Sequence, residues 1–334
     1  MKKIISAINK ELLLSELTKD KFLRNANYGT NEIYLFDGRT SPNLMQELGR
    51  LREITFRKAG GGTGLSCDID KYDLADEPYF QLIVWDPQDK EIVGGYRYIL
   101  GESVLDNPIE KLATSHLFDF SEKFLKNYLP KTIELGRSFI QPDYQPKNNR
   151  RKGLFALDNL WDGLGALMIE YPDVEFFFGK VTMYKSFNVD ARNYILSFLH
   201  LYFPDKEKLI SAKNPIKVPY NKYNKIFNNK DYSDDYKALI KKLKEYNEKM
   251  PPLINAYMNL SMSCTFFGTV ENDEFGDVEE TGILLNIKEM RTEKKDRYLK
   301  NYERLIKIND LLPRTPKSLD LKFLRKLKNQ FIKH

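Results

Sequence analysis

Cysteine and histidine are scarce in this sequence of 334 residues. Two cysteines, Cys67 and Cys264, exclude a disulfide-stapled fold and any metal site built from cysteine alone. Three histidines leave little for a zinc enzyme, so we expect no bound metal. Hydrophobic residues make up 42% of the chain and aromatic residues 13%, which is enough for a buried core and excludes a wholly disordered chain.

Long hydrophobic runs are also missing. No stretch reaches the roughly 18 apolar residues of a membrane-spanning helix. Residues 1–10 lack the apolar centre and the small-residue cleavage site of a secretion signal. We therefore expect a cytoplasmic protein in a reducing compartment.

Positive charge is in excess, but only in one part of the chain. The net charge is +6. Residues 291–334 hold 14 of the 53 Lys and Arg but only 5 of the 47 Asp and Glu, a local net charge of +9, and the other residues have a net charge of −3. A nucleic-acid footprint spread over the whole surface is therefore excluded, and we expect no nucleic-acid partner.

The C-terminal residues 305–334 form a basic tail with an amphipathic pattern. Leu324, Leu327 and Phe331 fall on one face of a helix, and lysine and arginine occupy the remainder. Such a helix is typical of interfacial membrane binding, which predicts peripheral membrane contact through residues 316–333. A helix docked on the protein with a solvated basic face fits the pattern equally well.

Turn signals and apolar periodicity divide the chain into helices and strands. Strands are predicted at residues 32–36, 80–86, 91–100, 132–140, 174–183, 264–269 and 282–287. Helices are predicted over residues 1–25, 42–58, 153–171, 189–202 and 252–260, with one more capped by Ser233. This order predicts an α/β fold in which a mixed sheet has helices on both faces.

The chain is predicted to form one domain over residues 1–304. A Lys/Asn-rich insertion at about 204–250 interrupts it, and the tail at 305–334 follows. We favour an insertion over a domain boundary because residues 251–290 alone are too few to bury a core.

Charged residues interrupt two of the predicted apolar strands. Arg97 lies within residues 91–100, and Glu134 and Arg137 lie within residues 132–140. Buried charges are unfavourable unless they are paired, so the pattern indicates either a structural ion-pair network or an active site. Glu134 and Arg137 are three residues apart and therefore point to opposite faces unless a bulge intervenes. On opposite faces, one of the two has a purely structural role.

Four short motifs occur in a fixed order along the chain: Leu51-Arg52-x-x-x-Phe56, Asp70-x-x-Asp73, Gly94-Gly95-Tyr96-Arg97 and Glu134-x-x-Arg137. Together they resemble the shared pattern of the acyl-carrier-protein-dependent N-acyltransferases of the GNAT fold. That family has two branches, the acyl-homoserine-lactone autoinducer synthases and the hemolysin-like ornithine-lipid and glycine-lipid N-acyltransferases. The resemblance implies a mostly antiparallel GNAT-like sheet, followed here by a helical tail.

The rest of the sequence resembles the lipid branch. Its middle and C-terminal sections match at Leu160-Trp161-x-Gly163, Phe178-Gly179-Lys180-Val181, Pro251-Pro252-Leu253-Ile254-x-Ala256-Tyr257 and Asp273-x-Phe275. A glycine run replaces the aromatic residue that autoinducer synthases carry after the position of Phe56. The resemblance covers roughly residues 51–290.

The resemblance implies a reaction and a set of site residues. The donor is a fatty acyl thioester on the 4′-phosphopantetheine of acyl carrier protein, no cofactor is permanently bound, and the acceptor is the amine of glycine or ornithine. Glu134 is expected to take the amine proton. The remaining expected residues are Arg97 and Arg137 in catalysis, and Arg52, Phe56, Asp70 and Asp73 in substrate binding.

Two further expectations concern how the substrates are held. Backbone N–H groups between splayed strands at residues 132–140 and 174–183 are expected to polarise the thioester. Arg52, Arg97 or Arg137 is expected to pair with the acceptor carboxylate, although Arg137 fits an ion pair with Asp70 or Asp73 slightly better.

A basic loop precedes the helix predicted at residues 153–171. Its residues Arg150, Arg151, Lys152 and Gly153 occupy the position of the donor-binding loop of the GNAT fold. They are expected to contact the pantetheine phosphate and the acidic carrier protein. A solvated basic loop is the alternative.

The resemblance implies that the product is a mono-acylated amino acid, to which a separate O-acyltransferase adds a second acyl chain. Two alternatives remain. One is an autoinducer synthase that consumes S-adenosylmethionine, and the other is a non-enzymatic membrane-associating protein of the hemolysin-like kind.

Overall fold

The computed structural model describes residues 1–145, 153–261 and 263–309. The strands are β1 (Phe22–Asn25), β2 (Glu32–Asp37), β3 (Phe80–Asp86), β4 (Glu91–Leu100), β5 (Phe118–Phe120), β6 (Thr132–Ile140), β7 (Phe176–Met183), β8 (Ile210–Ala212), β9 (Thr265–Asn272) and β10 (Val278–Asn286). The helices are α1 (Lys10–Glu16), α2 (Pro42–Ala59), α3 (Pro108–Lys111), α4 (Ala156–Glu170), α5 (Val189–Tyr202), α6 (Tyr220–Tyr223), α7 (Tyr232–Glu245), α8 (Pro252–Leu260) and α9 (Thr292–Asn309).

Eight strands form one mixed sheet in the order β1-β2-β3-β4-β6-β7-β10-β9. The neighbours pair antiparallel except β6 and β7, which are parallel. Strands β5 and β8 form a separate antiparallel pair. The predicted mixed, mostly antiparallel sheet is confirmed.

Helices cover both faces of this sheet, as the sequence predicts. The largest apolar core lies on one face, beneath α4, α5, α7, α8 and α9. On the other face, α1 and α2 cover a second core over β2 and β3. A third core on that same face lies beneath the segment of residues 104–129. The two cores of this face leave a gap between them, and the polar site occupies it.

Local signals account for several element boundaries. Pro42 begins α2, because its fixed φ suits the first helical turn. The helix ends at Gly60, whose φ of 98° lies in the left-handed region that glycine adopts without strain. The hairpin of β3 and β4 has the predicted bounds.

Two local predictions are wrong. Residues 1–25 are not helical throughout, since α1 covers only Lys10–Glu16 and β1 pairs with β2 at the sheet edge. Ser233 does not cap α7; the side chain of Asp231 accepts a hydrogen bond from the Asp234 N–H instead. The cap lies two residues earlier than predicted.

The region of the predicted insertion packs onto the rest of the chain. Leu239 and Leu243 of α7 are buried in the largest core. Strand β8, which also lies in this region, pairs with β5.

Helix α9 extends across the predicted boundary between residues 304 and 305. Its Tyr298 and Tyr302 are buried against α4. In the part of the chain that the structure describes, none of the helices is both long and apolar enough to cross a membrane. The amphipathic segment at residues 316–333 lies outside the described residues.

Candidate active site

A β-bulge in β6 shapes the centre of the sheet. Arg97 pairs with Gly136, and Gly95 pairs with Phe139. The step from the first pair to the second is two residues along β4 but three along β6, so β6 contains one extra residue. The extra residue leaves Arg137 with a φ of 50°, which is uncommon outside glycine.

The bulge brings Glu134 and Arg137 to the same face of the sheet. Before the bulge, Leu135 points into the largest core. After it, Phe139 points into the core beneath α2 on the opposite face, although 135 and 139 are both odd positions. The bulge therefore reverses the alternation of side chains along β6. Glu134 and Arg137 lie on the same face for this reason, which is the case that the sequence analysis allowed if a bulge intervened.

The parallel ladder between β6 and β7 ends at Glu134. Their parallel pairing consists of Thr132–Phe176, Ile133–Phe177 and Glu134–Phe178. Beyond that last pair, the facing edges of the two strands no longer pair with each other. The splay that the resemblance implies is present between these strands, and Glu134 lies at its base.

Polar side chains occupy the gap between the two smaller cores. Along β3, Gln81 lies between Tyr79 of one core and Ile83 of the other. Along β10, Glu280 lies between Val278 and Leu284 in the same way. The apolar residues on either side bury most of this row of polar groups.

Three arginines in this row pair with aspartates of the loop that follows α2. Arg97 Nη1 lies 2.7 Å from Asp70 Oδ2 and 3.3 Å from Asp73 Oδ2. Arg52 Nη1 lies 3.3 Å from Asp73 Oδ1, and its other terminal nitrogen donates a hydrogen bond to Gln81. Asp73 is fully buried between two cations.

Arg137 pairs with Asp70, as the sequence suggested, but Asp68 lies closer to it. Its Nε lies 2.9 Å from Asp68 Oδ2, and its Nη2 lies 3.5 Å from Asp70 Oδ2. The guanidinium also lies 4.4 Å above the ring of Phe275, a cation–π distance.

The ionisation of Asp73 follows from these contacts. Burial opposes its charge, but Arg52 and Arg97 overcome that effect and hold the pKa of the carboxyl well below its usual range. Asp73 is therefore a permanent anion.

Glu134 has a different environment. Its carboxylate is buried and accepts a hydrogen bond of 3.1 Å from the Thr114 N–H at Oε1. Oε2 is buried and accepts no hydrogen bond among the described residues. Burial raises the pKa of Glu134 to about 7, although the Tyr79 hydroxyl and Arg97 act in the opposite direction. Such a carboxylate can exchange a proton near neutral pH.

Sequence reasoning missed an ion pair beside the splay. Lys180 of β7 donates to Glu280 of β10, and both side chains are buried or nearly so. Burial lowers the pKa of Lys180, Glu280 raises it, and the nearby charge of Arg137 lowers it further. Lys180 interrupts an apolar strand, which is the same signal that identified Arg97, whereas Glu280 lies just before the strand predicted at residues 282–287 and carries no such signal. Asp68 carries no such signal, because it lies in a loop.

The structure brings together six of the predicted site residues: Arg52, Asp70, Asp73, Arg97, Glu134 and Arg137. Phe56 lies beside this group and packs edge-on against Phe275, with ring centroids 5.0 Å apart. Arg150, Arg151 and Lys152 lie outside the described residues, and Gly153 is buried.

The two cysteines are poor nucleophiles. Burial raises the pKa of Cys67 to about 11 and that of Cys264 to about 12, so both thiols stay protonated at neutral pH. Within the described ranges, no group of three or more His, Cys, Asp or Glu residues is arranged to hold a metal ion.

Comparisons with known proteins define the class of this enzyme and then its family. Residues 51–152 match the acetyltransferase (GNAT) domain. The chain is 50% identical over 306 residues to the glycine N(alpha)-acyltransferase of Phocaeicola vulgatus, covering 90% of this chain and 94% of that protein. It is also 50% identical over 308 residues to the glycine N(alpha)-acyltransferase of Bacteroides thetaiotaomicron, covering 90% and 91%. The chain belongs to this family and is an N-acyltransferase.

Solved structures give a weaker likeness. A CoA-dependent acyl-homoserine lactone synthase, BjaI, with MTA matches 82% of this chain and 90% of its own, with 11% sequence identity and a TM-score of 0.38.

Proposed function

We propose that this enzyme transfers a 3-hydroxy fatty acyl group from acyl carrier protein to the amino group of glycine, the first step of an aminolipid synthesis. Two relatives that are 50% identical over nearly their whole length carry the name glycine N(alpha)-acyltransferase, which favours glycine over ornithine. The product keeps a free carboxylate and a 3-hydroxyl group, and the hydroxyl is the substrate for a separate O-acyltransferase.

The observation that carries the mechanism is the position of Glu134. It lies at the base of the splay, with one oxygen held by Thr114 and the other without a hydrogen-bond partner in the described structure. The amine nitrogen of glycine forms a bond to the thioester carbonyl carbon while its proton passes to Glu134. The carbon–sulfur bond then breaks, and the thiolate leaves as a thiol after taking that proton.

The splay supplies the donor side of this proposal. A pantetheine arm that enters between β6 and β7 meets strand edges that do not pair with each other beyond Phe178. Backbone N–H groups on these edges then donate to the thioester oxygen as negative charge develops on it. The basic residues Arg150, Arg151 and Lys152 are proposed to meet the phosphate and the carrier protein.

An acceptor screen tests the proposal. Purified enzyme is incubated with 3-hydroxyacyl carrier protein and, singly, with glycine, ornithine and the other amino acids, and amide products are identified by mass spectrometry. The same acyl group is offered on coenzyme A to test the donor. We expect N-acylglycine from the carrier-protein donor.

Three outcomes of this screen overturn parts of the proposal. Absence of an amide from any amino acid overturns the reaction. Preference for ornithine overturns the acceptor. Release of methylthioadenosine from added S-adenosylmethionine identifies an autoinducer synthase instead.

We also propose that the C-terminal tail contacts anionic membranes, which suits an enzyme whose product carries a long acyl chain. The full chain and a variant lacking residues 310–334 are sedimented with anionic and with zwitterionic vesicles. Helix α9 is kept because Tyr298 and Tyr302 are buried. We expect the full chain alone to sediment, and only with anionic vesicles; equal sedimentation of both proteins overturns this proposal.

A further inference from the structure

Four cations lie in the row of polar side chains between the two smaller cores, and each of them already pairs with a carboxylate of the protein. Arg52 pairs with Asp73, and Arg97 pairs with Asp70 and Asp73. Arg137 pairs with Asp68 and Asp70, and Lys180 with Glu280. An acceptor carboxylate that displaced one of these partners would leave a buried charge unpaired, which is strongly unfavourable. The acceptor therefore needs a cation outside this row.

A groove of about 330 Å³ opens beside the row and offers such a cation. It is lined by Lys71, Tyr72, Glu77, Tyr79, Glu110 and Lys111. Its volume lies at the lower end of the range of small-molecule sites in proteins.

The two lysines of the groove differ in their partners. Lys111 Nζ lies 3.0 Å from Glu77 and 2.7 Å from Asp106, so its charge is neutralised. Lys71 Nζ lies 5.0 Å from the centre of the Tyr72 ring and forms no ion pair with the described residues. Lys71 is the groove lysine that is free to bind an anion.

Tyr79 connects the groove to the reaction centre. Its ring lies 5.7 Å from that of Tyr72 and 5.1 Å from the guanidinium carbon of Arg97. Its hydroxyl accepts a hydrogen bond of 2.7 Å from the Ala113 N–H, one residue before the N–H that holds Glu134. Tyr79 therefore lines the groove and also lies beside Glu134.

We propose that this groove is the acceptor site and that Lys71 binds the carboxylate of the acceptor amino acid. This inference rests on the proposed function. The carboxylate binds at the Lys71 end, and the amine is directed toward Tyr79 and Glu134. Because every amino acid carries the carboxylate, Lys71 selects amino acids over simple amines, whichever side chain the acceptor has.

The test compares glycine with glycinamide, which keeps the amine but lacks the carboxylate. In the Lys71→Met variant we expect KM for glycine to rise about tenfold, with kcat and KM for the acyl donor little changed. The preference for glycine over glycinamide in kcat/KM should fall by the same factor. Lys71→Arg should restore most of it. Lys237→Met removes an exposed lysine of α7 and serves as the matched control.

The outcomes separate this inference from the proposed function. An unchanged preference for glycine in Lys71→Met, with an active wild-type enzyme, overturns the role of Lys71 alone. A wild-type enzyme that acylates a different amino acid overturns glycine as the acceptor, and the same test then proceeds with that amino acid and its amide. A wild-type enzyme that acylates no amino acid overturns both.

Discussion

Glu134 and Phe178 form the last pair of the parallel ladder between β6 and β7. Phe178 belongs to the apolar core beneath residues 104–129, so it shields the same face of the sheet from which Glu134 projects. The carboxylate thus lies at the end of this ladder and is buried. These two conditions give a carboxyl group both access to a substrate and a raised pKa.

The first prediction concerns the proton acceptor. Glu134→Gln keeps the shape of the side chain but cannot take a proton from the amine. We expect kcat to fall by at least about 10²-fold, the usual contribution of a general base, with KM for the acyl donor little changed. The measurement is the steady-state rate of amide formation.

Glu122→Gln is the matched control for that variant, because Glu122 is exposed and pairs only with Lys126 in the described structure. Its activity should equal that of wild type. Circular dichroism should show that both variants are folded. Undiminished turnover in Glu134→Gln would remove this residue from the mechanism.

The second prediction concerns stability and pH. Burial raises the pKa of Glu134 from 4.5 to about 7. Between these values the folded protein holds a proton that the unfolded chain has released. The contribution of this group is therefore complete below pH 4.5 and is lost as pH rises through 7, a change of order 3 kcal/mol.

Glu134→Gln lacks this titration, so it should gain stability relative to wild type as the pH rises from 5 to 8. Urea unfolding of both proteins at the two pH values measures the difference, in which the other titrating groups cancel. A difference between the two proteins that does not vary with pH would show that the pKa of Glu134 is not raised.

The third prediction concerns the paired aspartates. Asp73 is fully buried, and both Arg52 and Arg97 lie 3.3 Å from its oxygens. Asp73→Asn leaves two buried guanidinium groups short of a counter-charge, and we expect the free energy of unfolding to fall by roughly 3–5 kcal/mol. Urea titration measures this. Glu122→Gln should not shift the midpoint, and a similar midpoint for Asp73→Asn would contradict the pairing.

Much of the fold could be predicted because its signals are local. Proline at the start of α2, the glycine at its end, and the apolar runs of β3 and β4 each carry their own signal. Strand β1 was missed because only its pairing with β2, a tertiary contact, makes it a strand. The cap of α7 was misplaced because Asp231 and Ser233 are both good capping residues, two positions apart.

Arg52, Asp70 and Asp73 were predicted from the family resemblance, and the rest of the site was predictable only where charge interrupts an apolar strand. Arg97 and Glu134 were found in this way. The partnership of Arg137 with Asp68 could not be predicted, because it depends on a bulge that reverses the direction of the Arg137 side chain. Spacing along a regular strand places Arg137 on the wrong face, and only the register of β4 against β6 corrects it.

The last prediction concerns the close approach of the strands at the base of the splay. A Cβ atom on Gly179 would lie 2.7 Å from the backbone oxygen of Leu135, which cannot rotate away as a side chain would. Gly179→Ala must therefore push β6 and β7 apart next to Glu134. We expect a loss of stability of about 1–3 kcal/mol and a fall in kcat of about tenfold, since the carboxylate moves with its strand.

Gly136→Ala on β6 is the matched variant. A Cβ atom there meets its nearest neighbour, the side chain of Arg97, at 3.4 Å, an ordinary van der Waals distance. Activity and thermal unfolding are measured for both variants. Gly136→Ala should stay close to wild type. If Gly179→Ala also leaves activity and thermal unfolding unchanged, the two strands can separate further at this point. The position of Glu134 then does not depend on the spacing between Gly179 and Leu135.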